Sequence, residues 1–508
     1  MKSPDDLFQL IKSMTKSEKR YFKLFAQQQN PEGEFNYLKL FNAIDEQDTY
    51  DKDVLAASLH EVTNIKHLAS DKNYLYHLII KSLKNYYLSS SKEAEVDDLI
   101  NCARVLYKKG LYEQSNKILS KSLALSEKYE LYSSILKIAK LQIDLVVHMS
   151  STSEELQSGF AKAKARAKDA LSKLNNLNEY HELYTSFLEL IRVEGEVLEK
   201  DSDNPALNSI VFSSYIKDEE KALSAEAKRL FYFINGAYHH ITGDLPTAYQ
   251  YELKGMEQIE TRFDLFQQDY AMYSAQLANL CETCLWRKEY PLFTTYLQKL
   301  KDVPARYPME ESRVFYRYYD LLVRSLVQRG EYKQVIDLVG IIDNGFRQYE
   351  YNIHKSREIS IKYYLAYACF GGGDLKKAMN WINKLLIDKT DFRSDFISFA
   401  RILSCIIYFE QGDYLSTESV FRATHYFSKK NKRKSKTESL FLNFFRKVYK
   451  LDDPVKRRPV FIQYKKEMEL LIENPVEKSL LEYFDLLSWI ESKISGKSFA
   501  EIVRDKVK

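Results

Sequence analysis

Along most of this chain apolar residues recur every three or four positions, the spacing of one buried face of an α-helix. Between residues 96 and 428 the helical stretches are broken by a polar heptad that returns in variant forms. It reads KGLYEQS at 109–115, TGDLPTA at 242–248, RKEYPLF at 287–293, RGEYKQV at 329–335, GGDLKKA at 372–378 and QGDYLST at 411–417. The second position is Gly or a basic residue, the fourth is Tyr or Leu, and the seventh is usually small. From Gly243 to Gly412 the second positions step by 45, 42, 43 and 39 residues. Glycine ends a helix because it takes positive φ freely. An acidic residue after it suits the first turn of the next helix. The Tyr or Leu then plugs the corner, and the small seventh residue lets the two helices approach. The heptads therefore predict helix–turn–helix units. Gly371 to Gly373 belong to the same punctuation. A phosphate loop would need a preceding buried strand and GxxxxGK[ST] spacing, and the sequence offers neither.

These units resemble the tetratricopeptide repeat, a helix–turn–helix of 34 residues. Around Gly330, Leu322, Val323 and Leu326 fill the first helix, Tyr332 the corner, and Val335, Val339 and Ile342 the second helix. Around Gly373 the matching residues are Leu365, Ala366, Cys369, Leu375, Ala378, Ile382 and Leu385. Around Gly110 they are Ala103, Leu106, Tyr112, Ser115 and Leu119. Around Gly243 they are Gly236, Leu245 and Ala248, with Glu252 where an apolar residue is expected. Lys288 stands in place of a glycine, the pitch is longer than the family's, and residues 120–235 carry helical patterns without a clear turn. The resemblance implies an all-α fold: a right-handed α-solenoid of such hairpins over residues 96–428. Its concave wall would be lined by the first helix of each pair.

The ends differ. Residues 1–95 read as a module of short helices, with Ser3-Pro4 starting one and Thr15 and Glu18 forming a capping box for the next. Residues 429–508 read as a basic connector followed by a helical cap built from SLFLNFFRKVYKL, PVFIQYKKEMELLI and VEKSLLEYFDLLSWIESKI. A solenoid must cover its last apolar face.

Composition sharpens this picture. Gly (15) and Pro (10) are scarce in 508 residues, which argues against a turn-rich β fold. Tyr (38) and Phe (28) are abundant enough to fill a long, narrow core. The net charge of +4, from 75 basic and 71 acidic residues, gives no overall pull toward nucleic acid. The start MKSPDDLFQL resembles neither a secretion signal nor a transit peptide, and no apolar run of about 18 residues is present. A cytoplasmic chain with reduced thiols and no membrane span is expected.

Candidate chemistry is sparse. Cys281 and Cys284 lie on one helix face but fall at buried slots of a first helix, as Cys369 and Cys405 do in later units, so core packing is the expectation. Adjacent His239 and His240 point about 100° apart and do not converge on one ion; one would pack and the other would face the groove. Ser495 to Ser498 mimic the end of a nucleotide-binding motif, but Glu491 stands where its first glycine belongs. No catalytic motif, metal site or cofactor site is read, and the chain is expected not to be an enzyme. Lys429, Lys430, Lys432, Arg433, Lys434 and Lys436 form a local basic excess. Lys72 and Asn73 could open a recognition helix in the N-terminal module.

The resemblance implies a scaffold or adaptor whose concave groove grips a partner protein or peptide segment. Groove-facing positions would be Arg104, Tyr107 and Lys108 in the first unit and His240 in the next, followed by Glu282. Arg317, Asp320 and Arg324, and then Tyr363, Tyr367 and Phe370, would continue the line. Arg and Tyr suit that role because they combine contact area with directed hydrogen bonds. The alternative is a nucleic-acid- or ribosome-associated regulator that uses the N-terminal helices and the basic C-terminal region.

Overall fold

A computed structural model describes residues 6–29, 36–58, 68–88, 91–194, 205–266, 270–305, 307–350, 352–353, 355–387, 393–430, 435–474, 477–478 and 480–507. Among these residues the fold is all α-helical, with no strand. No helix among the described residues is long and apolar enough to cross a membrane. The chain forms two compact units, residues 1–174 and 175–508.

The first unit begins with α1 (Asp6–Ser13), α2 (Lys16–Gln29), α3 (Asn36–Asp45), α4 (Lys52–Ser58) and α5 (Leu68–Leu88). The capping box opens α2 as expected: the Glu18 N–H donates to Thr15 Oγ1 at 3.2 Å, and the Thr15 N–H donates to Glu18 Oε2 at 2.5 Å. Ser3-Pro4 lies outside the described residues. Leu7, Phe22, Phe41 and Leu75 close a core belonging to these short helices. Then come α6 (Lys92–Lys108), α7 (Tyr112–Lys128) and α8 (Tyr132–Met149), packed around Val96, Ala103, Leu119 and Ile138. The division between units falls within the 42-residue α9 (Ser153–Glu194). The expected boundary at 95/96 lies inside the first unit, and the one at 428/429 inside the second.

The second unit continues through α10 (Pro205–Val211) into α11 (Ala225–Ile241) and α12 (Leu245–Thr261), joined by a tight turn. After the short α13 (Phe263–Phe266) come α14 (Tyr270–Trp286) with α15 (Tyr290–Lys301), and α16 (Pro308–Gln328) with α17 (Tyr332–Gln348). They are followed by α18 (Lys355–Gly371) with α19 (Leu375–Ile387), and α20 (Ser394–Gln411) with α21 (Tyr414–Lys430). The members of each pair pack on one another. The first helices also touch in succession, α14 on α16, α16 on α18 and α18 on α20.

The turns have the geometry the heptads predict. All six second positions take left-handed backbone, from φ 60° at Lys288 to φ 84° at Gly373. The Gly373 N–H donates to Phe370 O at 3.0 Å and the Asp374 N–H to Cys369 O at 2.9 Å, so two otherwise orphaned helix-end carbonyls are satisfied. The same pair of bonds closes every one of these turns. The small seventh residues Ser115, Ala248 and Ala378 are fully buried where the paired helices meet. A seventh turn of this shape joins α7 to α8, with Glu130 at φ 51°. It falls in the stretch where the sequence shows no turn signature.

The C-terminal part contains α22 (Lys436–Val448), α23 (Pro454–Leu471), α24 (Leu486–Ser495) and α25 (Phe499–Val507). The last long helix expected from the sequence is interrupted. A 3-10 turn at Leu480–Glu482 precedes α24, whose start is capped where the Ser488 N–H donates to Asp485 Oδ1 at 2.9 Å. Gly496 (φ 79°) ends α24, so the SGKS stretch is a link between helices, as expected. This segment folds back over α16, α18 and α20. Phe484 and Phe499 pack on Tyr367 and Phe370, with ring centroids 4.9 to 6.1 Å apart. Trp489 Nε1 donates to Glu410 Oε1 at 2.7 Å, and Lys493 pairs with the same carboxylate at 2.5 Å.

Candidate functional site

The first helices of the second unit converge on a cavity of about 290 Å³. Its charged wall comes largely from α16. Arg317, Asp320 and Arg324 are spaced three and four apart, which puts them on one helix face. Arg357 near the start of α18 and Arg393 just before α20 complete a set of four guanidiniums. Tyr184, Leu188, Phe233 and Phe396 form an apolar wall.

The arginines are not equivalent. Arg324 pairs with Glu282 of α14 at 2.5 Å and with Asp320 at 3.7 Å. Arg393 pairs with Asp395 at 2.9 Å and sits over the Phe396 ring at 4.3 Å. Its backbone is left-handed, at φ 57°. For a residue with a side chain that conformation is costly and persists only when its surroundings hold it. Arg317 is anchored by α14, donating to Ala271 O at 2.9 Å and to Ser274 Oγ. Arg357 is exposed and lies over the Tyr316 ring at 5.3 Å. Neither Arg317 nor Arg357 has a carboxylate partner among the described residues.

Behind the arginines runs a buried polar chain. His240 Nδ1 lies 3.0 Å from Thr283 Oγ1, and Thr283 Oγ1 donates to Glu252 Oε1 at 2.9 Å. The other Glu252 oxygen, Oε2, is buried with no hydrogen-bond partner among the described residues. Burial pushes the Glu252 carboxyl well above the usual carboxylate range, and Glu282 adds to the shift, so Glu252 is held neutral. Burial likewise lowers His240 from its ordinary value and favours neutral imidazole. Burial opposes ionisation of Glu282, but Arg324 and His240 outweigh it and hold that carboxyl below its usual value. Asp320 is raised by burial against the pull of Arg324. Burial also lowers Arg317.

The structure sorts the groove residues expected from sequence into three groups. His240, Glu282, Arg317, Asp320 and Arg324 meet at the cavity. Arg104 and Lys108 are exposed on α6 in the first unit, and Tyr107 packs 5.6 Å from Tyr112. For Tyr363, Tyr367 and Phe370 an open face does not hold, because the chain's own C-terminal segment covers them. The Tyr363 hydroxyl donates to Tyr483 O at 2.9 Å, and the Tyr367 hydroxyl accepts from the Asp485 N–H at 3.2 Å. These rings keep most of their apolar area from water by packing on their own chain.

Other expectations resolve as follows. His239 stacks on Tyr251 and pairs with Asp244 at 3.2 Å, while its neighbour His240 faces the cavity. Cys281, Cys284, Cys369 and Cys405 are buried core residues, and burial pushes the Cys284 thiol up to about 12. Lys429 is exposed, whereas Lys432, Arg433 and Lys434 lie outside the described residues. Lys72 and Asn73 lie within α5, and Lys72 is buried rather than exposed for recognition. Glu252, Arg357, Arg393 and Thr283 were not foreseen as site residues. Glu252 alone left a trace, as the acidic exception at an apolar repeat position. No protein-family model, curated protein or solved structure matches the chain.

Proposed function

We propose that this chain is a non-enzymatic interaction scaffold, a right-handed solenoid of tetratricopeptide-like hairpins whose inner wall docks a segment of a partner protein. The observation that carries the reading is the cavity, which is walled by successive first helices and studded with guanidiniums. Arginine suits interface anchoring because its planar fork makes several directed bonds at once. Binding is favoured over catalysis because the buried hydroxyls around the cavity are committed to their own chain: that of Thr283 is enclosed between His240 and Glu252, that of Ser360 donates to Asp320, and that of Ser274 donates to Ala271 O.

The test fills the cavity. Ala275 lines it from α14, and Ala275→Trp would occupy the space a partner needs. Proteins co-purifying from native cells with the wild-type chain should be lost from the variant, while circular dichroism shows the helices intact. An identical partner set for both chains would refute the reading.

A further inference from the structure

We infer that the cavity receives a phosphate monoester, either a free small molecule or a phosphorylated side chain of the docked partner. The inference rests on the docking reading above and deepens it.

Four guanidiniums line the cavity, and two of them, Arg324 and Arg393, already have carboxylate partners. The other two, Arg317 and Arg357, have none among the described residues and come together through Tyr316. Arg357 lies 5.3 Å from that ring's centroid and Arg317 5.8 Å. Two uncompensated positive charges at one partly desolvated wall call for an anion. A carboxylate would neutralise one of them, whereas a phosphoryl group carries nearly two negative charges and offers three acceptor oxygens. Guanidinium forks match that geometry.

The fixed acids do not oppose such a ligand. Glu282 and Asp320 are committed to Arg324. Glu252, with its unpartnered Oε2, is held neutral by burial, so it can donate a proton to a phosphoryl oxygen where an ionised carboxylate would repel it. His240 is turned toward Thr283 through Nδ1, which leaves its Nε2 for other contacts. The cavity is larger than a phosphoryl group alone needs. Leu188, Phe233 and Phe396 offer an apolar wall to the organic part of the ester.

The test is isothermal titration of the full chain at fixed ionic strength with phenyl phosphate, benzoate, inorganic phosphate and a capped phosphotyrosine tripeptide. Phenyl phosphate should bind saturably, and benzoate at least about tenfold more weakly, because it presents one charge instead of two. Arg357→Gln should weaken phenyl phosphate binding by about tenfold or more and leave the unfolding midpoint unchanged, since Arg357 is exposed and makes no ion pair among the described residues. Arg317→Gln should weaken binding likewise, and Arg357→Gln keeps the test decisive if loss of the bonds from Arg317 to Ala271 O and Ser274 Oγ disturbs α14. Tighter binding of the tripeptide than of phenyl phosphate assigns the ester to a partner chain, and the reverse assigns it to a free metabolite. The inference is overturned by absence of saturable binding, by equal affinity for benzoate, by inorganic phosphate binding as tightly as the ester, or by wild-type affinity in Arg357→Gln. If esters fail to bind while Ala275→Trp still abolishes partner capture, the inference falls and the docking reading stands.

Discussion

Glu482 offers a direct measure of how tightly the C-terminal segment is seated. It lies on the 3-10 turn between α23 and α24 and accepts a hydrogen bond from Gln328 Nε2 of α16. Burial pushes its carboxyl up to about 7, with Lys288 opposing and Asp485 adding to the rise. In the unfolded chain a glutamate titrates near 4.5. Between those values the folded protein keeps a proton that the unfolded chain gives up, so stability is fully present below 4.5 and falls as pH rises toward 7. One proton over that window is worth about 1.4 kcal/mol per pH unit, or about 3 kcal/mol in all. Glu482→Gln keeps the acceptor for Gln328 and cannot ionise. Relative to the variant, wild type should therefore lose about 3 kcal/mol between pH 4.5 and 7 and nothing further above it. Urea unfolding followed by tryptophan fluorescence reads this cleanly, because Trp286, Trp381 and Trp489 all lie in the second unit. A wild-type-to-variant gap that stays constant from pH 5 to 8 would refute the argument. It would mean that water or a local shift of the turn relieves the carboxyl.

Four further outcomes follow from the same physics. Glu252→Gln should remove a second descent of the same sign, up to about 1.4 kcal/mol per pH unit above 4.5, measured by the same unfolding series. Gly373→Ala should cost about 1 kcal/mol, because φ 84° strains any side chain although nothing lies within 4 Å of the added Cβ. Lys288→Gly should change stability in the opposite sense by up to about 1 kcal/mol, since relief of strain exceeds the added freedom of the unfolded chain; paired denaturation curves decide both signs. A chain ending at residue 479 should expose Tyr363, Tyr367 and Phe370, bind an apolar dye strongly, and unfold at lower urea, since each large ring uncovered forfeits about 2 kcal/mol. A truncated chain with wild-type stability and no dye binding would show that those rings gain little from their cover.

What could be read from the sequence was local, and what could not was relational. The turns were legible because left-handed backbone selects glycine, and five of the heptads carry it; at Lys288 the rest of the heptad still gave the turn away. The same geometry at Glu130 escaped because neither glycine nor a basic residue marks it, even though Leu131 and Tyr132 repeat the Leu111–Tyr112 corner one hairpin earlier. The face of α16 that carries Arg317, Asp320 and Arg324 was legible from helical spacing. Its companions were not, since Arg357 and Arg393 lie 40 and 76 residues beyond Arg317 and meet it only because α16, α18 and α20 pack in register. Tyr363, Tyr367 and Phe370 show the limit from the other side. Spacing put them on one face of α18, and all three contact the C-terminal segment. No pattern within the hairpins could reveal that Tyr483, Phe484 and Phe499, more than a hundred residues later, return to cover them. Glu252 is the instructive exception. A buried acid at an apolar position costs several kcal/mol unless it is neutral or paired; the acid that broke the expected hydrophobic pattern is held neutral and lines the cavity. Where successive helices pack in pairs, the residue that fails to fit the core is the most informative guide to where that core gives way to a site.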